Sequence, residues 1–142
     1  MAHKFFTLNE ANEMIIFVKN AIQQLQQIKR EFSEKRLQLG ELERREAETG
    51  HDSETDDLTF LLECRMDFLQ MEAQMQVNLL TQKGVVLRSI EQGLVDFPGM
   101  KDGEAIFWCW KEGEVEITHF HGWNEGFSGR QLISDFMVDY NG

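Results

Sequence analysis

The sequence is poor in cysteine and has no long apolar run. Its 142 residues include only two cysteines, Cys64 and Cys109, and neither has a second cysteine close enough for a zinc knuckle or a thioredoxin-type redox pair. Two free thiols favour a reducing compartment. The longest purely apolar run, from Ala105 to Trp110, is far shorter than the roughly 20 residues that cross a bilayer, and the N-terminus lacks the apolar core of a signal peptide. We therefore expect a cytoplasmic protein with no membrane partner.

Basic residues are also scarce. The chain has 14 Lys and Arg against 25 Asp and Glu, a formal net charge of −11, which argues against a nucleic-acid partner because phosphate neutralisation needs a basic face. Residues 1–50 hold eight basic and eight acidic side chains, whereas residues 51–142 hold six and seventeen. A cation or a basic partner could use this acidic half, or the charge could serve solubility alone. Apolar residues make up 42% of the chain, which is typical of a globular protein.

Apolar residues recur at steps of three and four along the first part of the chain, which predicts two amphipathic helices. Thr7 and Glu10 have the spacing of a capping box, and the helix that they begin should continue to about Ala47. A polar turn over residues 49–57 precedes a second helix that begins at Leu58, with Gly84 at the position of a helix-ending glycine. We expect an antiparallel helical hairpin over residues 7–84.

Such a hairpin cannot cover its own apolar stripes, so it needs a partner surface. The simplest partner is a second copy of the chain, which closes a four-helix bundle around a two-fold axis. The sequence therefore predicts a homodimer that associates through the helical hairpin.

The period changes after Gly84, where short extended segments separated by turns predict a small antiparallel sheet. The expected strands are Val85–Ile90, a short piece from Gly93 that ends at Pro98, Ala105–Lys111 and Val115–His121, with a hairpin turn over residues 112–114. A glycine-rich loop over residues 122–130 follows, and the state of residues 132–140 is open. The predicted fold class is α+β, with a single domain over residues 1–142, in which residues 85–142 form the sheet, the loop and a tail.

Several short motifs resemble one known family. They are FTLNEAN at residues 6–12, GLVDFP at 93–98, CW at 109–110, GE at 113–114 and H-x-x-x-E-G-F-x-G-R at 121–130. Together they resemble a prokaryotic family catalogued as domain of unknown function twenty-two-oh-three, which implies no established activity. The positions that characterise this family fall, in this chain, on Asp96, Trp110, His121, Glu125, Phe127, Gly129 and Arg130. The family usually carries an aromatic residue at the position of His119.

The sharpest chemical pattern is a pair of histidines followed by a carboxylate. His119 and His121 stand two residues apart on a predicted strand and so point to the same face, and Glu125 follows beyond a glycine turn. These three residues are candidate ligands of a divalent transition metal such as Zn, Fe, Mn or Ni. The alternative is structural: His121 is a partly buried histidine bonded to Asp96, to Glu125 or to a backbone carbonyl, and His119 is half exposed.

Asp96, Trp110 and Arg130 are the candidate ligand-binding residues outside that pattern. Arg130 stands among glycines and could hold an anion with its two-pronged guanidinium, or lock the loop by pairing with Asp96 or Glu125. Trp110 could line a small pocket together with the other tryptophans, or belong to the core between the sheet and the helices.

Two functions of different classes remain open at this stage. The first is a non-enzymatic, soluble, homodimeric interaction or scaffold protein with an acidic sheet half. The second is a small metal- or ligand-binding protein with its site at the end of the sheet, and whether it is also an enzyme stays open. The second requires the imidazole of His121 and the carboxylate of Glu125 to meet at an accessible cleft.

Overall fold

The computed structural model describes residues 4–133, and the fold is α+β, as predicted. Long helices come first, and a five-stranded antiparallel sheet with the order β1-β2-β3-β4-β5 follows. The elements are α1 Leu8–Glu13, α2 Ile15–Thr49, α3 Ser53–Gln82, β1 Val86–Ser89, β2 Leu94–Lys101, β3 Glu104–Lys111, β4 His119–Gly122, a short 3₁₀ helix Phe127–Gly129, and β5 Gln131–Leu132. Residues 134–140 of the segment left open above lie outside the described residues.

The predicted capping box is confirmed at the start of α1. The Thr7 hydroxyl accepts a hydrogen bond from the backbone N–H of Glu10 at 3.1 Å, and the Glu10 carboxylate accepts one from the backbone N–H of Thr7 at 2.8 Å. These bonds stabilise the ionised carboxylate, so the pKa of Glu10 is lowered. The helix is interrupted at Met14, which caps α1, before α2 begins.

The second long helix begins earlier than predicted. Asp52 accepts hydrogen bonds from both the backbone N–H and the hydroxyl of Thr55, at 2.8 and 3.1 Å, and so provides the N-terminal cap. Residues 53–57, predicted as part of the turn, therefore form the first turn of α3. At the other end Gly84 has a φ of +83°, the left-handed conformation in which glycine ends helices.

Contacts divide the described chain into two compact units, residues 4–22 with 77–133 and residues 23–76. The second unit consists of segments of α2 and α3 and the turn between them, and a bidentate ion pair joins the two helices: Arg65 donates to Glu31 at 2.6 and 2.9 Å. No helix within residues 4–133 combines the length and apolar character that a membrane crossing requires. The single domain predicted from the sequence stays a prediction.

In the first unit one face of the sheet is apolar and buried. Its side chains are Val95, Phe97, Trp108, Trp110 and Phe120, all 6% exposed or less. The segment before α1 fastens to this region through Phe6, whose N–H donates to the Pro98 carbonyl at 2.7 Å and whose carbonyl accepts from the Trp108 indole N–H at 2.8 Å. We call this the inner face; the outer face carries the alternate residues of the same strands.

Two strand boundaries differ from the sequence prediction. β2 continues through Pro98 to Lys101. The Pro98 carbonyl accepts from the Phe6 N–H outside the sheet, and the missing N–H of Pro98 would point to the same side. Proline is tolerated at this position because the sheet does not need that N–H. β4 begins only at His119, not at Val115. The preceding residues are held elsewhere: the Ile117 N–H donates to the Asn12 side chain at 2.8 Å, and the Val115 side chain is 93% exposed.

A histidine in the turn between α2 and α3 bridges the ends of these two helices. His51 lies between the carboxylates of Glu46 and Asp56, with 2.8 Å from Nδ1 to the first and from Nε2 to the second. The hydrogen bond to Glu46 and the charge of Asp56 raise the pKa of His51 above its ordinary 6.5. The stability from this bridge is full below pH 6.5 and is lost as the pH rises through the raised value.

We expect an NMR titration of the His51 ring protons to give a pKa above 6.5. Glu46→Gln and Asp56→Asn should each lower the pKa, because each removes one negative partner. Glu48→Gln is the matched control, since Glu48 bonds to Arg44. A pKa that is unchanged in both test variants would contradict the bridge.

Candidate functional site

The outer face of the sheet carries a polar pocket of about 300 Å³, which we call the outer-face pocket. The sheet forms its floor, and the loop after β4 forms one wall. Its lining residues are Arg88, Leu94, Asp96, Cys109, His121, Trp123, Asn124, Glu125, Gly126 and Phe127.

Strand register brings three chemically active side chains together in this pocket. Asp96 on β2 lies opposite Cys109 on β3, and Phe107, two residues from Cys109, lies opposite His121 on β4. Residues two apart on a strand, and directly paired residues on adjacent strands, share a face. Asp96, Cys109 and His121 are all buried, and each offers an atom within 4.8 Å of the other two.

Asp96 is the acceptor at the centre of this cluster. One oxygen of its carboxylate, Oδ2, accepts from Arg88 Nε at 2.7 Å and lies 3.0 Å from His121 Nε2. The side chain is only 3% exposed, and a buried carboxylate needs such partners because it has lost its water. The orientation of Arg88 on β1 and the orientation of His121 on β4 therefore both depend on the Asp96 carboxylate.

His121 has both ring nitrogens occupied. Nε2 faces Asp96, and Nδ1 lies 3.0 Å from the Gly122 carbonyl. A ring with both nitrogens engaged has none left to accept a proton from a substrate, so this arrangement does not provide a general base. A metal bound at Nε2 would replace the contact between this nitrogen and Asp96, and Nδ1–H would keep donating to the Gly122 carbonyl, as in metal-binding histidines.

Burial raises the pKa of the Cys109 thiol to about 12, and the nearby Asp96 carboxylate adds to this shift. The thiol therefore stays protonated at neutral pH and is not a nucleophile by itself. A bound cation would reverse this balance, because a coordinated thiol loses its proton.

The other predicted metal ligands lie outside the cluster. His119 Nδ1 lies 2.8 Å from the Thr118 hydroxyl, and the Glu125 carboxylate accepts from the Gly122 N–H at 3.2 Å. The Glu125 carboxylate packs against Gly122 and Gly129, where an added Cβ would lie 2.5 Å from its oxygens and would displace it. Thus, of the predicted set, only His121 belongs to the buried cluster.

The three predicted ligand-binding residues are also divided. Asp96 lines the pocket, but Trp110 lies on the inner face, 1% exposed, with its indole N–H donating to the Glu114 carbonyl at 3.0 Å. Arg130 is a lock, but its partner is Glu114, whose two oxygens accept from Nη2 at 3.2 and 3.0 Å, rather than Asp96 or Glu125. The Arg130 guanidinium also stacks over the Phe127 ring, with 4.7 Å from Cζ to the ring centroid.

Two residues of the pocket were not among the predicted site residues: Arg88, and Cys109, which the sequence suggested only as a possible partner of His119 or His121 across the hairpin. The alternation that places Cys109 opposite the tryptophans is visible in the sequence, but its neighbours across the sheet depend on register. Arg88 stands in a strand of mixed apolar and polar residues, and no motif marks it.

A helical hairpin followed by a five-stranded antiparallel sheet with a polar outer pocket defines a small α+β protein. The model of one family, described as uncharacterized conserved protein (DUF2203), matches residues 4–133. The chain therefore belongs to this family, and the resemblance noted in the sequence is confirmed. No curated protein and no solved structure matches the chain.

We expect Cys109 to resist alkylation in the folded protein. At about pH 8, iodoacetamide should modify exposed Cys64 and spare buried Cys109, because the Cys109 thiol remains protonated. Peptide mass spectrometry identifies the modified residue, and the denatured protein, in which both thiols react, is the control. Equal rates for the two folded-state thiols would contradict the burial.

Proposed function

We propose that the protein binds a divalent transition metal of the zinc class in the outer-face pocket, with Asp96, Cys109 and His121 as ligands. One observation carries this proposal: a carboxylate, a thiol and an imidazole from three adjacent strands are buried together, within 4.8 Å of one another, in the wall of a cavity. Nitrogen, sulfur and carboxylate oxygen are the ligands that zinc prefers.

The distances suit a metal with small adjustments. Zinc bonds of about 2.0–2.3 Å in tetrahedral geometry separate ligand atoms by about 3.3–3.6 Å. The His121 Nε2 and Asp96 Oδ2 atoms, now 3.0 Å apart, would separate by a few tenths of an ångström. The other ligand atoms lie within 4.8 Å of one another, so no pair would need to close by more than about 1.5 Å. Three protein ligands leave a fourth position for water or a small molecule from the pocket.

The groups around the cluster hold the ligands in place. The Gly122 carbonyl accepts from His121 Nδ1 and so orients the opposite nitrogen toward the metal, while Arg88 holds the Asp96 carboxylate. Outer partners of this kind fix the orientation of metal ligands and tune their basicity.

Charge also favours this assignment. With the Cys109 proton displaced, the thiolate and the Asp96 carboxylate carry two negative charges, which balance a divalent cation, and His121 binds as the neutral ring. Because the metal must displace the proton of a thiol whose pKa is about 12, binding should release protons and weaken as the pH falls.

We expect elemental analysis of the untagged, cytosol-purified protein to find about one transition metal per chain. Asp96→Asn, Cys109→Ala and His121→Ala should each reduce this ratio at least tenfold, since each removes one of three ligands. His119→Ala is the matched control, because it removes a histidine on the same strand that lies outside the cluster.

Circular dichroism of each variant separates loss of metal from loss of fold. A ratio near zero in the wild type, also after incubation with zinc, would refute the proposed metal site. A ratio that falls with His119→Ala and Glu125→Gln but not with Cys109→Ala would instead favour the ligand set predicted from the sequence.

We propose as a second function that α3 mediates self-association, as expected for a homodimeric interaction protein. Five large apolar side chains of this helix are 51% exposed or more in the single chain: Phe60, Leu61, Phe68, Met71 and Met75. Leu61, Phe68 and Met75 are separated by steps of seven, so these side chains form one stripe along the helix. We call this the α3 stripe.

A second copy of the chain is the partner that the charges favour. The exposed acidic side chains of α3, including Asp57 and Asp67, outnumber its one basic residue, Arg65, which is already paired with Glu31. The middle of α2, residues 29–36, exposes three basic side chains, Lys29, Arg30 and Arg36, against one exposed acidic side chain, Glu34. Packing of the α3 stripe against α2 of a second copy would bring opposite charges together at the rim of an apolar contact.

We expect light scattering at micromolar concentration to give about 33 kDa, twice the chain mass of 16.6 kDa. Leu61→Glu or Phe68→Glu should shift this mass to that of one chain, because each places a charge in the apolar contact. Val115→Glu, at an apolar residue that is 93% exposed in a loop, is the matched control. A wild-type mass of one chain would refute the dimer.

A further inference from the structure

Arg88 is held at the outer-face pocket with most of its hydrogen-bonding capacity unused. Its side chain is 45% exposed, and its Nε–H donates to Asp96 at 2.7 Å. A guanidinium has five N–H donors. The four on Nη1 and Nη2 have no hydrogen-bond partner within residues 4–133.

An aromatic stack fixes the position of this guanidinium. Arg88 Cζ lies 4.9 Å from the centroid of the Phe107 ring, and Phe107 stacks on Trp123 with 4.3 Å between centroids and 12° between planes. The ion pair with Asp96 holds one edge of the guanidinium, and the ring supports its face. The side chain is therefore pre-organised, which lowers the entropic cost of binding a ligand.

We propose that Arg88 binds the oxyanion group of a small ligand, a carboxylate or a phosphate, next to the metal position. This inference rests on the proposed function of the pocket and names the ligand class for it. A planar guanidinium with two free Nη groups matches two oxygens of such an anion. The pocket volume of about 300 Å³ restricts the ligand to a small molecule.

The charges in the pocket couple the binding of the metal to the binding of the anion. A divalent metal neutralises the Asp96 carboxylate and the Cys109 thiolate, so Arg88 loses the negative charge of the carboxylate that it contacts. An anion that contacts Arg88 and the fourth metal position then takes the place of Asp96 as the negative partner of Arg88. Glu125 also lines the pocket, and its negative charge favours a singly charged anion over a doubly charged one.

The test titrates acetate and inorganic phosphate, separately, into metal-free and zinc-loaded protein at constant ionic strength. Binding is followed by the NMR signal of Arg88 Nε–H and by the fluorescence of Trp123, which stacks on the Phe107 ring that Arg88 contacts. We expect saturable binding of acetate that is at least about tenfold tighter with zinc, and weaker binding of phosphate.

Two variants and one control test the contact itself. Arg88→Gln should weaken acetate binding at least about tenfold, and Arg88→Lys should recover part of the loss because it keeps the charge but not the paired donors. Arg44→Gln removes an exposed arginine of α2, paired there with Glu41 and Glu48, and should leave binding unchanged. The fluorescence readout applies to all of these variants, and Arg88→Lys serves if Arg88→Gln fails to fold.

The outcomes separate this inference from the proposed metal site. If zinc binds but neither anion saturates, or if Arg88→Gln and Arg88→Lys both bind like the wild type, the Arg88 assignment is overturned and the metal site stands. If zinc does not bind but acetate binds in an Arg88-dependent manner, the assignment stands and the metal site falls. Failure of both titrations overturns both.

Discussion

The outer face of the sheet depends on one buried charge, the carboxylate of Asp96. A carboxylate that has lost its water is costly unless donors surround it, and Asp96, 3% exposed, has Arg88 from β1 and His121 from β4 against one of its oxygens. Those partners are themselves fixed, Arg88 by the Phe107 ring and His121 by the Gly122 carbonyl. The contacts that stabilise the Asp96 carboxylate therefore determine the shape of the pocket. They also hold His121 beside Asp96, in the cluster that we propose as a metal site.

The local features of this fold could be predicted from the sequence, but its lateral contacts could not. Helix period, the Thr7 cap and Gly84 are set by residues within one or two turns, so the helices were predictable. The site depends on register: the two-residue turn Asp102-Gly103 sets the pairing of Asp96 with Cys109. The seven residues between β3 and β4 contain no such short turn, so the pairing that brings His121 opposite Phe107 could not be predicted. The structural alternative for His121 named Asp96 and a backbone carbonyl as partners, and both contacts are present. The choice of His119 and Glu125 as metal ligands stays a prediction, since i,i+2 spacing indicates a face and not what lies on it.

The two proposed functions use different parts of the chain. The α3 stripe lies within residues 60–75, and the outer-face pocket is lined by residues 88–127. Substitutions at Leu61 or Phe68 and at Asp96 or His121 share no direct partner, and effects of such separate sites usually add. Assembly and ligand binding can therefore be separated by mutation, and a link between them would be a coupling free energy that a double-mutant cycle measures.

The attachment of Phe6 to the sheet has a consequence for how the protein folds. The strands follow each other in chain order, so each pairs with a neighbour close in sequence and can form quickly. The hydrogen bond from Trp108 to the Phe6 carbonyl instead joins residues 102 apart, and a loop of that length is slow to close. Phe6 is synthesised before every strand of the sheet but finds its place only after β3 has formed, and the tryptophan-lined face of the sheet remains uncovered by Phe6 until then.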